Sequence, residues 1–436
     1  MQTSVENTSD IGRKLTVQVP EEKIQEEITS RLKKLARQIK LDGFRPGKAP
    51  ARVVRQRFGQ QVRQEVISDL IDSSFREALE EHMLRIAGEP QLTPKEMTEG
   101  KGLAYEVQFE VYPEIELSPI EELEIKKWVC EIREEDLDAM IEKLREQKKI
   151  WEETDQPAQS GDRITMDFEG TLNGELIEGG KAENFELELG KGQMIPGFED
   201  HLLGARAGDQ LEFDITFPED YQDENLAGKP VHFKVEVKKV EQGRLPEIDA
   251  DFIHAYGVES GDVDEFRNEV RENMARQLQK ALRERLQAEV LDRLYEHNPI
   301  PVPEALIKQE MQRTLEPLSD ALKKNPELLN QLPLDNIREN ARKRVALGLL
   351  LGHILRSENI KPDPEKVRQI IEELAQNYEN PQQVVEWYYN NPEQMAQIES
   401  QVLEQMAIEW IVERAKVTEE SITFDDLTKP RQQEAG

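Results

Sequence analysis

Cysteine occurs once, at Cys130, which excludes an internal disulfide and a cysteine-built zinc site within one chain. Histidine is scarce too. The six are His82, His201, His232, His254, His297 and His353, and none falls in an H-E-x-x-H string or a comparable ligand pair. Gly190-Lys191-Gly192 lacks the rest of a dinucleotide fingerprint, and no Walker A string occurs. These absences predict a protein with no metal, no cofactor and no means of using ATP. Long apolar runs are missing as well: the stretch Val345–Leu351 is broken by Gly348 and is far shorter than a membrane span. The opening MQTSVENTSD has neither the basic region nor the apolar core of a secretory signal. The expectation is a cytoplasmic protein with no membrane partner.

What the chain has in quantity is charge. Charged residues are 33% of the sequence against 37% hydrophobic, which favours several small cores or an elongated shape over one thick globule. A length of 436 residues suggests two to four domains. The net charge of −32 repels nucleic acid and anionic lipid, except in one segment. From Arg31 to Arg63 lie Arg31, Lys33, Lys34, Arg37, Lys40, Arg45, Lys48, Arg52, Arg55, Arg57 and Arg63, with Asp42 the sole acid. Charge alone supports two readings equally, a docking surface for a polyanion or a solvated helix face with its counter-charge elsewhere in the fold.

The hydrophobic pattern divides the chain. Lys14–Pro20 alternates as a half-buried strand. Pro20 opens a helix with early Glu residues and an apolar stripe of Ile24, Ile28, Leu32, Leu35 and Ile39. A second helix carries Val62, Val66, Leu70, Phe75 and Leu79, and Leu103–Tyr112 alternates again. This α+β unit is expected over 1–112, followed by a connector over 113–150 with a charged helix from about Glu134. Over 151–245, short alternating segments with glycine turns predict a small antiparallel β domain. From Pro246 onward the pattern is helical, led by Phe266, Val270, Met274, Leu278, Leu282 and Leu286 at every fourth position. Pro299, Pro301 and Pro303 end that helix, and 246–436 is expected to be all-helical, with a polar, mobile tail over Thr423–Gly436.

Two segments carry candidate function. In GFRPGKAP, Gly43 and Gly47 permit unusual backbone angles while Pro46 and Pro50 stiffen the loop. Phe44, Arg45 and Lys48 are then presented at a tip suited to a negatively charged partner, although physics alone slightly favours an interhelical turn with Phe44 tucked into its own core. The string resembles, position for position, the ribosome-binding signature G-F-R-x-G-x-x-P of trigger factors. The resemblance implies that Gly43, Phe44, Arg45, Pro46, Gly47, Lys48 and Pro50 form the ribosome contact, with neighbouring cations on ribosomal RNA. Pro46 departs from members that carry a further cation there, which predicts weaker docking.

The β segment aligns Phe168, Phe185, Phe198, Tyr221 and Phe233 with Ile177, Met194 and Ile195. Periodicity alone favours an ordinary small β core. The strings MDFEGTLNGELIEGG, FELELGKGQMIPGFEDHLLGARAGD, FPEDY and VHFKVEV, however, resemble FKBP-type prolyl isomerases over about Gly161 to Glu241. That resemblance implies a catalytic pocket of Phe168, Ile177, Glu178, Phe185, Met194, Ile195, Phe198, Tyr221 and Phe233. Phe198 stands where small FKBPs have Trp, Ile177 where Phe is common, and Glu178 at the usual Asp position, so macrolide affinity is in doubt while catalysis should survive.

The order of segments resembles the trigger-factor family from end to end. It implies an elongated α+β multidomain protein: an N-terminal α+β ribosome-binding domain, an FKBP-like antiparallel β domain and an all-helical C-terminal substrate-binding domain. The implied activity is an ATP-independent chaperone and prolyl isomerase. Its partners would be the large ribosomal subunit near the nascent-chain exit, through protein and rRNA, and nascent and unfolded polypeptides kept open for folding or export. A weak homodimer off the ribosome is also allowed. Competing readings are a plain isomerase with dispensable flanks, an envelope chaperone of parvulin type, and a nucleic-acid-binding protein using the basic segment. The first leaves the loop and the helical third unexplained. The missing signal opposes the second, and the missing RNA-binding signature opposes the third.

Overall fold

A computed structural model describes residues 1–38, 50–98, 100–221, 223, 225–326, 329, 332–376, 378 and 380–428. The first sheet is antiparallel, with strands β1 (Gln2–Asn7), β2 (Gly12–Val19), β3 (Gln91–Glu96) and β4 (Leu103–Glu110) in the order β1-β2-β4-β3. Helices α1 (Glu21–Gln38) and α2 (Ala51–Glu81) complete this block. Alternation buries Leu15, Val17 and Val19 of β2 and Leu103, Tyr105, Val107 and Phe109 of β4 against Ile24, Ile28, Val62, Val66 and Leu70 of the helices. The early acids of α1 suit the positive end of its dipole. Glu21 also receives both Arg63 guanidinium nitrogens, at 2.9 and 3.3 Å, which ties the start of α1 to α2. β1 and β3 were not foreseen. β1 offers only Val5 as an aliphatic residue, and β3 contains Pro94.

The next elements are β5 (Glu124–Val129) and α3 (Glu134–Gln147). A five-stranded antiparallel sheet follows, from β6 (Ile150–Glu153), β7 (Arg163–Leu172), β8 (Glu175–Glu188), β9 (Gln210–Thr216) and β10 (Pro230–Arg244). Its order is β6-β10-β7-β8, with β9 added on β10. The short helix α4 (Phe198–Leu202) lies between β8 and β9 in sequence. It buries Phe198 and Leu202 among the inward residues of the sheet, including Met166, Val231, Phe233 and Val237.

The remainder is helical: α5 (Ala250–His254), α6 (Val263–His297), α7 (Glu304–Leu315), α8 (Ser319–Lys324), α9 (Leu334–Ser357), α10 (Pro364–Ala375), α11 (Pro381–Asn390) and α12 (Pro392–Arg414). They are followed by a strand, β11 (Lys416–Ser421), paired with β5, and a last helix, α13 (Phe424–Thr428). This end corrects the sequence expectation of a polar tail from Thr423. Phe424 and Leu427 are buried with Leu137, Phe252, Ile253 and Phe266. Two apolar residues three apart supply one short buried face, too little for a periodicity signal.

Two compact units result. One joins Met1–Trp128 with Glu284–Glu420, and the other joins Val129–Arg283 with the residues from Ser421 on. In the first, Val290 and Leu294 pack with Ile120, Leu123, Ile125, Leu350, Ile354 and Ile411. The same unit docks its N-terminal block on α7. The Glu110 carboxylate accepts the Glu304 and Ala305 N–H groups at 2.7 and 3.4 Å. Gly88 (φ 92°) approaches so closely that a Cβ there would lie 2.1 Å from that of Ala305. In the second unit the four-residue stripe of Phe266, Val270, Met274 and Leu278 is buried on α3 and α5. Among the described residues, no helix is long and apolar enough to cross a membrane.

Candidate functional site

The aromatic residues singled out in the β segment converge. Phe168 comes from β7, Phe185 from β8, Phe233 from β10 and Phe198 from the start of α4. Phe198 is fully buried and lies edge-on to three rings: Phe233 at 5.2 Å between centroids, Phe213 at 5.4 Å and Phe168 at 6.0 Å. Phe185 meets Phe168 edge-on at 5.5 Å. Such T-shaped contacts set the positive ring edge against the negative face and fix the rings in place. Gly170 opposes Phe233 in the β7–β10 ladder. A Cβ at Gly170 would come within 2.8 Å of the Phe233 ring, so glycine there lets the ring lie over the strand.

Ile177, Met194 and Ile195 are partly buried against the same cluster. The N–H of Phe198 bonds to the Ile195 carbonyl at 3.1 Å, and Gly197 (φ 89°) makes the turn into α4. Tyr221 is placed differently. It is 39% exposed and stands edge-on to Phe217, with centroids 4.7 Å apart. Glu178 belongs to β8, and its side chain lies outside the described residues. Together these residues form a closely packed aromatic cluster, and no described residue places a nucleophile in it. Its partly buried members Ile177, Phe185, Met194 and Ile195 offer an apolar surface to a compact ring.

Four contributors escaped the sequence reading. Phe213 belongs to the buried cluster, and His201 stacks on it at 4.5 Å with an interplanar angle of 18°. The alternation of Leu211, Phe213 and Ile215 could have pointed to Phe213. Asp167 is held by Lys238 at 2.7 Å and accepts the Asn184 N–H at 2.6 Å. Lys238 first and that N–H second hold its carboxyl below the usual range. Glu199 accepts backbone N–H groups of the 190–194 loop, from Gly190 at 2.7 Å, Gly192 at 3.3 Å, Gln193 at 2.8 Å and Met194 at 3.5 Å. Burial pushes the Glu199 carboxyl up, but these bonds outweigh it and hold it below the ordinary value. No local sequence signal marks a carboxylate whose partners are backbone groups.

At the other candidate site, Gly43, Phe44, Arg45, Pro46, Gly47 and Lys48 lie outside the described residues. Pro50 caps α2, its carbonyl accepting the Val53 and Val54 N–H groups at 2.9 and 3.2 Å. The basic helices divide between the two readings of their charge. Arg31 pairs with Asp69 at 2.6 Å and Arg63 with Glu21, so these two serve the fold. Lys33, Lys34, Arg37, Arg52, Arg55 and Arg57 are exposed, and Lys33, Lys34 and Arg37 line a groove on α1 with Gln25, Thr29 and Ser30.

Comparison with known proteins places the chain among its relatives. The profile of the bacterial trigger factor protein matches residues 1–144, and that of the trigger factor C-terminus matches 262–413. The profile of FKBP-type peptidyl-prolyl cis-trans isomerases matches 154–238. A trigger factor from Pseudoalteromonas atlantica (strain T6c) is 43% identical over 431 residues, covering 98% of this chain and 99% of that protein. A solved structure from work on promiscuous substrate recognition in folding and assembly by the trigger factor chaperone aligns with a TM-score of 0.50 at 17% identity. It covers 95% of this chain and 99% of that one, a likeness of fold.

Proposed function

The chain belongs to the bacterial trigger factor family, and from that premise we propose how its residues divide the work of a chaperone with an FKBP-type peptidyl-prolyl isomerase domain. Ribosome and nascent-chain binding go with the family. In our reading, residues 1–112 dock, 113–150 connect, 151–245 isomerise and 246–436 hold the client. The docking loop is Gly43, Phe44, Arg45, Pro46, Gly47, Lys48 and Pro50, set against the large subunit beside the nascent-chain exit. The exposed Lys33, Lys34, Arg37, Arg52, Arg55 and Arg57 face rRNA phosphates, which makes docking weaken steeply with salt. The protein works in the cytoplasm without ATP and forms a weak homodimer off the ribosome.

The isomerase site in this reading comprises Phe168, Ile177, Glu178, Phe185, Met194, Ile195, Phe198, Tyr221 and Phe233. The observation that carries it is the nest of rings around the fully buried Phe198. Rotation about an Xaa-Pro bond must break amide resonance, and for a peptide bond the barrier is ~18–20 kcal/mol. The twisted amide has less charge separation than the planar one. A dry aromatic pocket therefore disfavours the planar ground state more than the transition state, and no covalent intermediate is needed. The prolyl ring lies over Phe198, the Ile195 N–H meets the preceding carbonyl, and the Tyr221 hydroxyl at the rim is a second donor.

Co-sedimentation with purified ribosomes tests the docking half. The parent should pellet with them, and a Phe44→Ala/Arg45→Ala protein should stay in the supernatant. Equal pelleting of both would remove the loop from the interface. Prolyl isomerase turnover tests the other half, since Phe198→Ala should lower kcat/KM by at least about tenfold while ribosome binding persists.

A further inference from the structure

We infer that Glu199 is a positioning residue of the isomerase site, setting the direction of the Ile195 N–H by holding the loop before it. The inference rests on the pocket assignment above. The loop from Gly190 to Met194 wraps around one carboxylate. Oε2 accepts from Gly190 and Gly192 at 2.7 and 3.3 Å, and Oε1 from Gln193 and Met194 at 2.8 and 3.5 Å. Gly190 and Gly192 have φ of 89° and 65°, left-handed angles that turn successive N–H groups to one side as in an anion-binding nest. The anion in this nest is part of the fold.

Ile195 is the next residue. Its N–H has no acceptor among the described residues, and its carbonyl is fixed by the Phe198 N–H at 3.1 Å. The peptide carrying that free N–H is thus held on one side by Glu199, through Met194, and on the other by the first turn of α4. The same short helix places Phe198 under the pocket and Glu199 under the loop. The apolar floor and the polar donor are set by neighbouring side chains, so they move as one piece. A glutamine at 199 would keep the shape, but one of its two oxygens becomes an NH2 group facing backbone donors.

The donor meets the substrate carbonyl in ground and transition states alike, so misdirecting it raises KM more than it lowers kcat. In the full chain acting on an Xaa-Pro tetrapeptide, Glu199→Gln should raise KM about tenfold, the worth of one well-made hydrogen bond, with kcat within about twofold. Amide hydrogen exchange should quicken at Gly190, Gly192, Gln193 and Met194 and stay slow at Phe198. Glu199→Asp keeps the charge and withdraws it by one carbon. It should raise KM by a smaller factor, and it decides the matter should the glutamine variant fail to fold. A folded Glu199→Gln protein with parental KM, or one losing kcat alone alongside its melting temperature, overturns the inference. Phe198→Ala, run in parallel, separates the two levels: full activity there removes the pocket assignment itself, whereas an inactive Phe198→Ala beside an unaffected Glu199→Gln removes only the role of Glu199.

Discussion

The ring of Phe198 stands edge-on to that of Phe233, with centroids 5.2 Å apart and planes at 87°. Phe198 has no exposed surface, so its removal opens a cavity among the packed rings. Phe198→Ala should cost about 3–5 kcal/mol of stability in the β domain. It should also lower kcat/KM by at least about tenfold. Phe198→Leu keeps most of the volume and should recover much of the stability without the activity. Denaturant unfolding followed beside a prolyl isomerase assay checks both. A Leu variant with parental turnover would show that any apolar floor suffices.

Glu21 links pH to the N-terminal block. The Arg63 side chain first, with help from Gln25 and against the effect of burial, lowers its pKa from the ordinary 4.5 to about 2. A carboxyl depressed in the folded state contributes its full stabilisation above about pH 4.5 and loses it as pH falls toward 2. Local hydrogen exchange in α1 should quicken across that window. Glu21→Gln should flatten the dependence and weaken the block by about 2 kcal/mol, as for a charge-assisted hydrogen bond. An unchanged acid profile in Glu21→Gln would assign the effect to another group.

Met83 occupies a left-handed position, φ 52°, just past the end of α2. The bond from the Leu84 N–H back to the Leu79 carbonyl at 2.9 Å closes a Schellman motif there. The side chain is 89% exposed and gives up no packing when removed. Met83→Gly should therefore stabilise the end of α2 by about 0.5–1 kcal/mol, relief of strain outweighing the added freedom of the unfolded chain. The urea midpoint of the first unit would rise. Asn359 (φ 51°) holds the equivalent place after α9, and asparagine tolerates it far better.

Phe424 lies in a buried cluster with Leu137, Phe252 and Phe266. Phe424→Ala should destabilise that core by about 3–5 kcal/mol and loosen α6 over its first half. Hydrogen exchange along Val263–Leu278 is the direct readout. Protection that survives the substitution would mean that the last helix rests on the core without completing it.

Elements with strong internal periodicity were legible from residue order alone. The four-residue stripe from Phe266 and the alternation of Leu15, Val17 and Val19 each state which face is buried. β1, β3 and β11 were not, because an edge or short strand owes its existence to its neighbour: Val5, Pro94 and Thr418 carry no pattern of their own. β11 pairs with β5 from the far side of the chain, a fact no local window contains. At the candidate site, the resemblance supplied residue types, and the fold then separated Tyr221, exposed on Phe217, from the buried rings. Glu199 stayed hidden because its partners are main-chain groups, which residue letters do not describe.

The core that holds Leu137 and Ile141 is completed by Phe424 and Leu427, and everything between them in sequence must be made first. At roughly 5–20 residues per second of synthesis, that core stays open for roughly a quarter of a minute to a minute. The five-stranded sheet from β6 to β10 lies wholly inside this interval and has its own hydrophobic centre, so it can fold while its surroundings wait. A chaperone built this way spends part of its own birth as an incomplete chain with exposed apolar helix faces, the condition it attends to in others.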